Sequence, residues 1–207
     1  MTHGSAACKL RGMTEIRPFE TLDARQRTKA ADILMRALAH VPSAYHTVEE
    51  ATAEVEKLAE EDRLGFAALD GTALAGWIGA IRQYSHGWEL HPLVVDPDHH
   101  RRGIGTLLIR ALEERACSEG VLTLYLGTDD DYGGTTLSGR ELFPDPTDAL
   151  RTIAPAGRGH PFFFYRKVGF VPVGALPDVN GRGRPDLLMA KQLTVVGHVR
   201  DQGAANQ

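Results

Sequence analysis

Residues 93–106 constrain the fold of this chain more than any other stretch. An apolar segment, Leu93-Val94-Val95, breaks at Asp96-Pro97-Asp98-His99-His100. It resumes as Arg101-Arg102-Gly103-Ile104-Gly105-Thr106. A strand therefore ends in a basic, glycine-bearing loop that opens directly into a helix. Free backbone N–H groups, two guanidinium groups and the positive end of a helix dipole meet at one point, which suits a phosphate group. Gly103 and Gly105 carry no Cβ, so a ligand can come close to the backbone. Ile104, Leu107, Leu108, Ala111, Leu112 and Ala116 recur at helical spacing, and Gly120 ends the pattern. Residues 121–126 then read as a buried strand. No Gly-Lys-Ser/Thr follows the loop and a third fingerprint glycine is missing, so neither a P-loop nor a dinucleotide fold is indicated.

A length of 207 residues fits one domain with a real core. The net charge of −4 argues against a general nucleic-acid or anionic-membrane binder. No apolar run approaches a membrane span, and no signal-peptide pattern opens the chain. Cys8 and Cys117 make a poor disulfide pair, so a reduced, cytoplasmic protein is expected. Residues 1–12 are expected to be a disordered extension, with Met13 near the functional start. Residues 13–196 form the single domain and residues 197–207 a loose tail.

Between these ends, helices and strands alternate. A strand over 13–19 precedes a helix capped by Asp23. Thr47 and Glu50 form a capping box for a second helix, whose Glu49, Glu50, Glu54, Glu56, Glu60 and Glu61 are expected to be a solvated face. Residues 65–69 and 73–81 flank Asp70-Gly71, a hairpin signal, and residues 88–95 add a third strand of the meander. A short helix over 161–168 and strands over 170–175 and 187–193 complete a mixed α/β domain around one sheet.

Chemistry concentrates beside the basic loop. In Trp88-Glu89-Leu90-His91-Pro92-Leu93, Pro92 cannot donate to a ladder and marks a bulge or an edge. Glu89, His91 and Leu93 are expected on one side of the strand, provided the bulge leaves the alternation intact. Further on, Asp129, Asp130, Asp131, Glu141, Asp145 and Asp148 stand against a single Arg140 in a long loop. That balance suits a cationic substrate. Metal binding is the competing reading, although consecutive aspartates lack calcium-loop spacing. In Phe162-Phe163-Phe164-Tyr165, only Tyr165 carries a polar tip that can donate a proton.

Together these residues resemble the GNAT superfamily of acetyl-CoA-dependent N-acetyltransferases. The loop from His100 to Thr106 is similar to its Arg/Gln-x-x-Gly-x-Gly/Ala pyrophosphate motif, with His100 in the Arg/Gln place. Phe164-Tyr165-x-Lys167-x-Gly169-Phe170 resembles a later motif. Longer strings resemble the aminoglycoside 6′-N-acetyltransferases: Gly79-Ala80-Ile81, Gln83-Tyr84, Gly87-Trp88-Glu89-Leu90-His91-Pro92, Tyr125-Leu126-Gly127-Thr128-Asp129-Asp130, His160-Pro161, Asn180-Gly181 and Pro185-Asp186. Val41 departs from the aromatic residue that some relatives place before the following proline.

The resemblance implies a twisted, mostly antiparallel sheet splayed at a bulge and flanked by helices. It implies acetyl transfer from acetyl-CoA to an amine by direct attack. Arg101, Arg102, Gly103, Ile104, Gly105 and Thr106, with Lys167, would hold the coenzyme's phosphates. Leu93, Val94 and Val95 would pair with its pantetheine, and the Leu93 or Val94 N–H would face the thioester oxygen. Glu89 and His91 would take the amine proton, and Tyr165 would serve the departing thiolate. Asp129, Asp130, Glu89 and Tyr84 would hold a polycationic aminoglycoside, with no metal required. Relatives are commonly dimers, and residues 170–193 offer the surface. Action on another amine, or a non-catalytic acyl-CoA-binding module, stays open.

Overall fold

The computed structural model describes residues 14–194. The expected N-terminal extension, the start at Met13, Cys8 and the tail from 197 lie outside the described residues. The expected single domain over 13–196 accordingly rests on residues 14–194.

The order of elements follows the hydrophobic periodicities. Strand β1 (Thr14–Pro18) precedes helices α1 (Ala24–Leu38) and α2 (Val48–Glu56). Strands β2 (Arg63–Asp70), β3 (Ala73–Tyr84) and β4 (Gly87–Val95) form a meander. Helix α3 (Ile104–Ser118) leads to β5 (Thr123–Asp129). The short α4 (Pro146–Ala149) and α5 (Pro161–Lys167) precede β6 (Val171–Leu176) and β7 (Asp186–Gln192). Both expected caps close as capping boxes: Asp23 with Gln26 on α1, and Thr47 with Glu50 on α2. The one-turn α4 had no periodicity to announce it.

The seven strands make one sheet in the order β1-β2-β3-β4-β5-β7-β6. Every neighbouring pair is antiparallel except β4–β5, which is parallel. The crossover between them is α3. One face of the sheet packs Ile78, Ala80, Trp88 and Leu90 against Ile104, Leu108 and Leu112 of α3 and Phe162 of α5. The other face packs Trp77, Leu69 and Val94 against Ile33, Leu34 and Val55 of α1 and α2. The Trp77 indole donates to the carbonyl of Ala30, so burial leaves no donor unpaired on this ring.

Two irregularities of β4 place the site. Opposite β3, Leu93 pairs with Ile78 and Leu90 with Ala80, so β4 spends one residue more than β3 around His91-Pro92. This is the bulge that Pro92 announces. It switches the alternation: Leu93 packs on the α3 side with Leu90, while Glu89 and His91 face the other way. The expectation that Glu89, His91 and Leu93 share a side is corrected here, because one inserted residue turns every later side chain over. On its other edge, β4 pairs with β5 only from Gly87 to Glu89. Beyond that point the two strands part, and the backbone from Leu90 to Val95 has no strand on its β5 side.

Gly79 lies under the bulge. A Cβ there would strike the His91 carbonyl oxygen and come within 3.0 Å of Leu58. Gly79→Ala is expected to lower stability by about 1–3 kcal/mol, through overpacking against backbone that cannot yield. That corresponds to a fall in melting temperature of roughly 3–10 °C. Gly87→Ala is the control, since its Cβ would find only Tyr84 at 3.5 Å. Equal melting temperatures for the two variants would show that the bulge does not depend on Gly79.

Candidate active site

The opening between β4 and β5 is bounded at one end by the start of α3. Gly103 is the N-cap at φ 82, with no side chain capping the helix. The first-turn N–H groups of Ile104, Gly105 and Thr106 therefore point out of the helix without an intrahelical acceptor. Arg101 holds φ 60, which bends the loop around this point. Arg101 is exposed, whereas Arg102 is tied to Asp70 at 2.8 Å. Ile104 is fully buried, so only its backbone can meet a ligand. Gly105 has a second role: a Cβ there would lie 3.1 Å from the Phe164 ring, so the missing Cβ also lets α3 approach α5. Lys167, Arg158 and Phe164 line the adjoining groove with Tyr132.

The loop's entry is fixed by a buried charge. Asp96 is 2% exposed and takes both oxygens to Arg36 at 3.0 Å, with Lys29 at 3.2 Å. Burial pushes this carboxyl up. The Asp98 N–H and the Lys29 and Arg36 charges outweigh burial and hold it below the ordinary range. The helix α1 cations thus anchor the basic loop, a link that no local pattern announces.

Along the open edge, backbone directions can be assigned. The Asp96 N–H donates to Ala75 of β3, and the Val94 carbonyl lies against Gly76 of β3. Because the N–H and C=O of one residue face the same edge, Val94 is committed to β3. The N–H groups of Leu93 and Val95 face the opening. The expectation that Val94 could supply the donor is corrected accordingly. The Val95 carbonyl also faces away from β3, where it accepts from His100 Nε2 at 3.0 Å.

Beneath the opening, on the α1–α2 side of the sheet, lie the ionisable groups. Glu89 is the register partner of Tyr125, and its charge lies close to the Tyr125 hydroxyl. Burial first, and then the Glu89 charge, push the Tyr125 hydroxyl up to about 12. Tyr84 is exposed and tilted against Tyr125, with ring centroids 6.2 Å apart. His91 brings its Nε2 to 3.4 Å from the Tyr45 hydroxyl and 3.5 Å from Glu54. Tyr165 lies on the other face, packed edge-on against Phe170, and burial raises its hydroxyl far above an ordinary phenol.

The acidic loop divides in a way its sequence conceals. Asp130 is fully buried and accepts from the Gly134 and Thr135 N–H groups and the Thr135 hydroxyl. It organises the loop and is not available to a substrate, which corrects its expected role. Each such bond to a charged acceptor is worth about 1.5–3 kcal/mol. Asp131 accepts from the Ser43 N–H and ties this loop to the α1–α2 connection. Asp129 remains toward the opening, bonded to the Asn180 amide, while its carbonyl accepts from His160. The His160 Nδ1 accepts from the Phe162 N–H, so its tautomer is fixed, and burial holds the ring neutral. Among the described residues no group of three or more His, Cys, Asp or Glu is arranged to hold a metal ion.

Three residues of this region escaped the sequence reading. Asp186 is the register partner of Asp129 and fills the space left by Gly127. Burial first, then Asp129 and Glu89, raise its carboxyl to about 6, against the pull of the Thr128 and Leu187 N–H groups. Only the β5–β7 register brings Asp186 to Glu89. Glu54, expected on a solvated face, is 4% exposed and bound to Lys57 and Arg63. Tyr45, in the α1–α2 connection, carried no motif. A signal for Glu54 did exist, since it falls with Ala51 and Val55 at i, i+3, i+4 on the buried face.

A family model described as the acetyltransferase (GNAT) family matches residues 29–134. An aminoglycoside 6′-N-acetyltransferase solved with coenzyme A is 39% identical, with 87% of this chain and 97% of that chain covered, at a TM-score of 0.79. The aminoglycoside 6′-N-acetyltransferase from Enterococcus faecium is also 39% identical over the same shares, at 0.77. The ribosomal-protein-S18-alanine N-acetyltransferase from Escherichia coli, at 18% identity, 90% and 98% coverage and 0.60, shares the fold. No curated protein sequence matches.

Asp186 makes a prediction about stability. Its folded value of about 6 lies above the ordinary carboxyl value of about 4, so the folded state disfavours its ionised form. That burden is absent at acidic pH, where the carboxyl is protonated in both states. It grows as pH rises and is complete above the folded value. Asp186→Asn is expected to raise the melting temperature at pH 8 and to give a smaller gain at pH 5, as scanning calorimetry would read. An equal gain at both pH values would exclude a like-charge, desolvated carboxylate at this position.

Proposed function

The chain belongs to the GNAT acetyltransferase family, and from that premise we propose that it transfers acetyl from acetyl-CoA to the 6′-amine of an aminoglycoside. The observation that carries the acceptor class is the acidic wall of Glu89, Asp129 and Asp186 beside the open edge of β4. Anionic pockets concentrate polycations. The 39% identity to aminoglycoside 6′-N-acetyltransferases supports the same reading.

The residues suit the coenzyme. The uncapped start of α3 and the exposed Arg101 present donors and positive charge to a pyrophosphate. Lys167 lies on the same groove. The Leu93 and Val95 N–H groups offer an extended amide chain the ladder that β5 leaves vacant. Acetyl-CoA supplies the activated carbonyl and a thiolate leaving group. Leu93 N–H is the donor placed to stabilise charge developing on the carbonyl oxygen. Glu89 and His91 hold the acceptor's ammonium group and remove its proton. The Tyr165 hydroxyl, raised by burial, keeps its proton and acts on the leaving sulfur as a hydrogen-bond donor. Tyr84 and Tyr125 line the approach to Glu89.

We extend the proposal to assembly and location. Edge strand β6 exposes Val171, Val173 and Leu176, which suits a homodimer. Among the described residues no helix is long and apolar enough to cross a membrane. For location we propose the cytoplasm, where acetyl-CoA is made and used.

A thiol-release assay with acetyl-CoA and kanamycin or tobramycin tests the activity. Turnover is expected with a 6′-amine and not with the corresponding 6′-hydroxyl compound. Turnover only with other amines would overturn the aminoglycoside reading. Gly103→Asp is expected to abolish coenzyme binding by calorimetry. Gly103→Asn, which tolerates the same positive φ without the charge, should keep most of it. Glu89→Gln should lower kcat/KM for the acceptor by about 10-fold or more while leaving coenzyme affinity unchanged.

A further inference from the structure

His91 is anchored through one ring nitrogen. Its Nε2 faces Glu54 Oε1 at 3.5 Å and the Tyr45 hydroxyl at 3.4 Å, and its Nδ1 has no hydrogen-bond partner among the described residues. The side chain is 43% exposed, so the ring has one side held and one side open to the cleft. The holding group is unusual. Glu54 is a carboxylate 4% exposed, on the inward face of α2 beneath the β4 bulge. Burying a carboxylate is costly unless its charge is used or matched. Lys57 at 2.8 Å and Arg63 at 3.5 Å match it. Burial pushes the carboxyl up, but Lys57, His91 and Arg63 together hold it below the ordinary range, so it is an anion at neutral pH. An anion can only accept, and so it selects the imidazole tautomer that carries its proton on Nε2.

We propose that Glu54 is the positioning residue of the proton-transfer step: it accepts the Nε2–H of His91, fixes the ring, and leaves the Nδ1 lone pair open to the cleft as the acceptor for the amine proton. The Tyr45 hydroxyl, 3.4 Å from the same Nε2, flanks the ring and limits its rotation. The inference rests on the acetyl-transfer reading and divides its two acid–base candidates. Glu89, beside Asp186 and Asp129, holds the ammonium group electrostatically, and His91 removes the proton. The bookkeeping closes. An N–H bond of the ammonium breaks and an N–H bond forms at Nδ1, making an imidazolium that faces Glu54. The freed amine pair forms the C–N bond as the C–S bond breaks. The second nitrogen proton ends on the sulfur, and His91 returns the first to solvent. The charged and titratable groups facing this unit are Tyr45 from the α1–α2 connection, Glu54 from α2, Lys57 just beyond its end, Arg63 from β2, and Glu89 on its own strand.

The test uses the full-length enzyme with ¹⁵N-labelled histidine. In the free protein, His91 is expected as the Nε2–H tautomer, with an Nε2 resonance that shifts in Glu54→Gln because the facing charge is gone. In turnover, Glu54→Gln should lower kcat about 10- to 100-fold, as loss of a ring-orienting partner does. Coenzyme affinity should stay unchanged. In the His91→Gln background the same substitution should cost little more, since both act on one step. An Nδ1–H tautomer, or an Nε2 resonance unmoved by the substitution, would overturn the proposal, even if Glu54→Gln lowers the melting temperature as a merely structural residue would. If Glu54→Gln does not fold, the wild-type tautomer decides alone. The spectra need no substrate, so they separate failure of this pairing from failure of the aminoglycoside reading.

Discussion

The bulge at His91-Pro92 is the constraint on which the rest of the site depends. One residue in excess of β3 turns β4 over, so that Glu89 and His91 face α2 while Leu93 faces α3. Beyond Glu89, β4 and β5 also separate. A sheet normally closes every ladder, because unpaired backbone groups away from water are costly. Here an edge is left open in the middle of seven strands. The site is therefore built from backbone as much as from side chains.

Charge is arranged on the two ends of that opening with opposite sign. The start of α3 supplies donors and Arg101, and its approach is braced from α1 through Asp96, Arg36 and Lys29. The floor beyond β5 is negative, with Glu89 and Asp129 near enough to help burial raise the Asp186 carboxyl. An anionic coenzyme and a cationic acceptor would each find a complementary end, with the reacting atoms between them. The α1–α2 connection closes the acidic end through Ser43 on Asp131 and Tyr45 on His91.

Elements were readable where one local pattern sufficed. Capping boxes at Asp23 and Thr47, the helical stripe of α3 and the turn at Asp70-Gly71 all lie where their patterns put them. Runs of like residues misled. Asp129, Asp130 and Asp131 look alike in sequence, yet one faces the opening, one is consumed by loop N–H groups and one ties two loops together. The glutamates of α2 divide likewise, with Glu49 exposed and Glu54 buried. Charge alone cannot separate these cases, because the difference lies in which neighbours a distant strand brings.

The sequence by itself determined the order of elements, the glycine-bearing basic loop before α3 and the place of the bulge. Each follows from short-range backbone preferences: proline's missing donor, glycine's positive φ and the period of apolar residues. Only the tertiary structure decided which face each acidic group occupies, that Leu93 and not Val94 points its N–H into the opening, and that Glu54 and Asp186 belong beside the cleft. Those depend on a one-residue register shift and on pairings between strands far apart in the chain. A change of one residue there exchanges the two faces of a strand, and no local pattern records it.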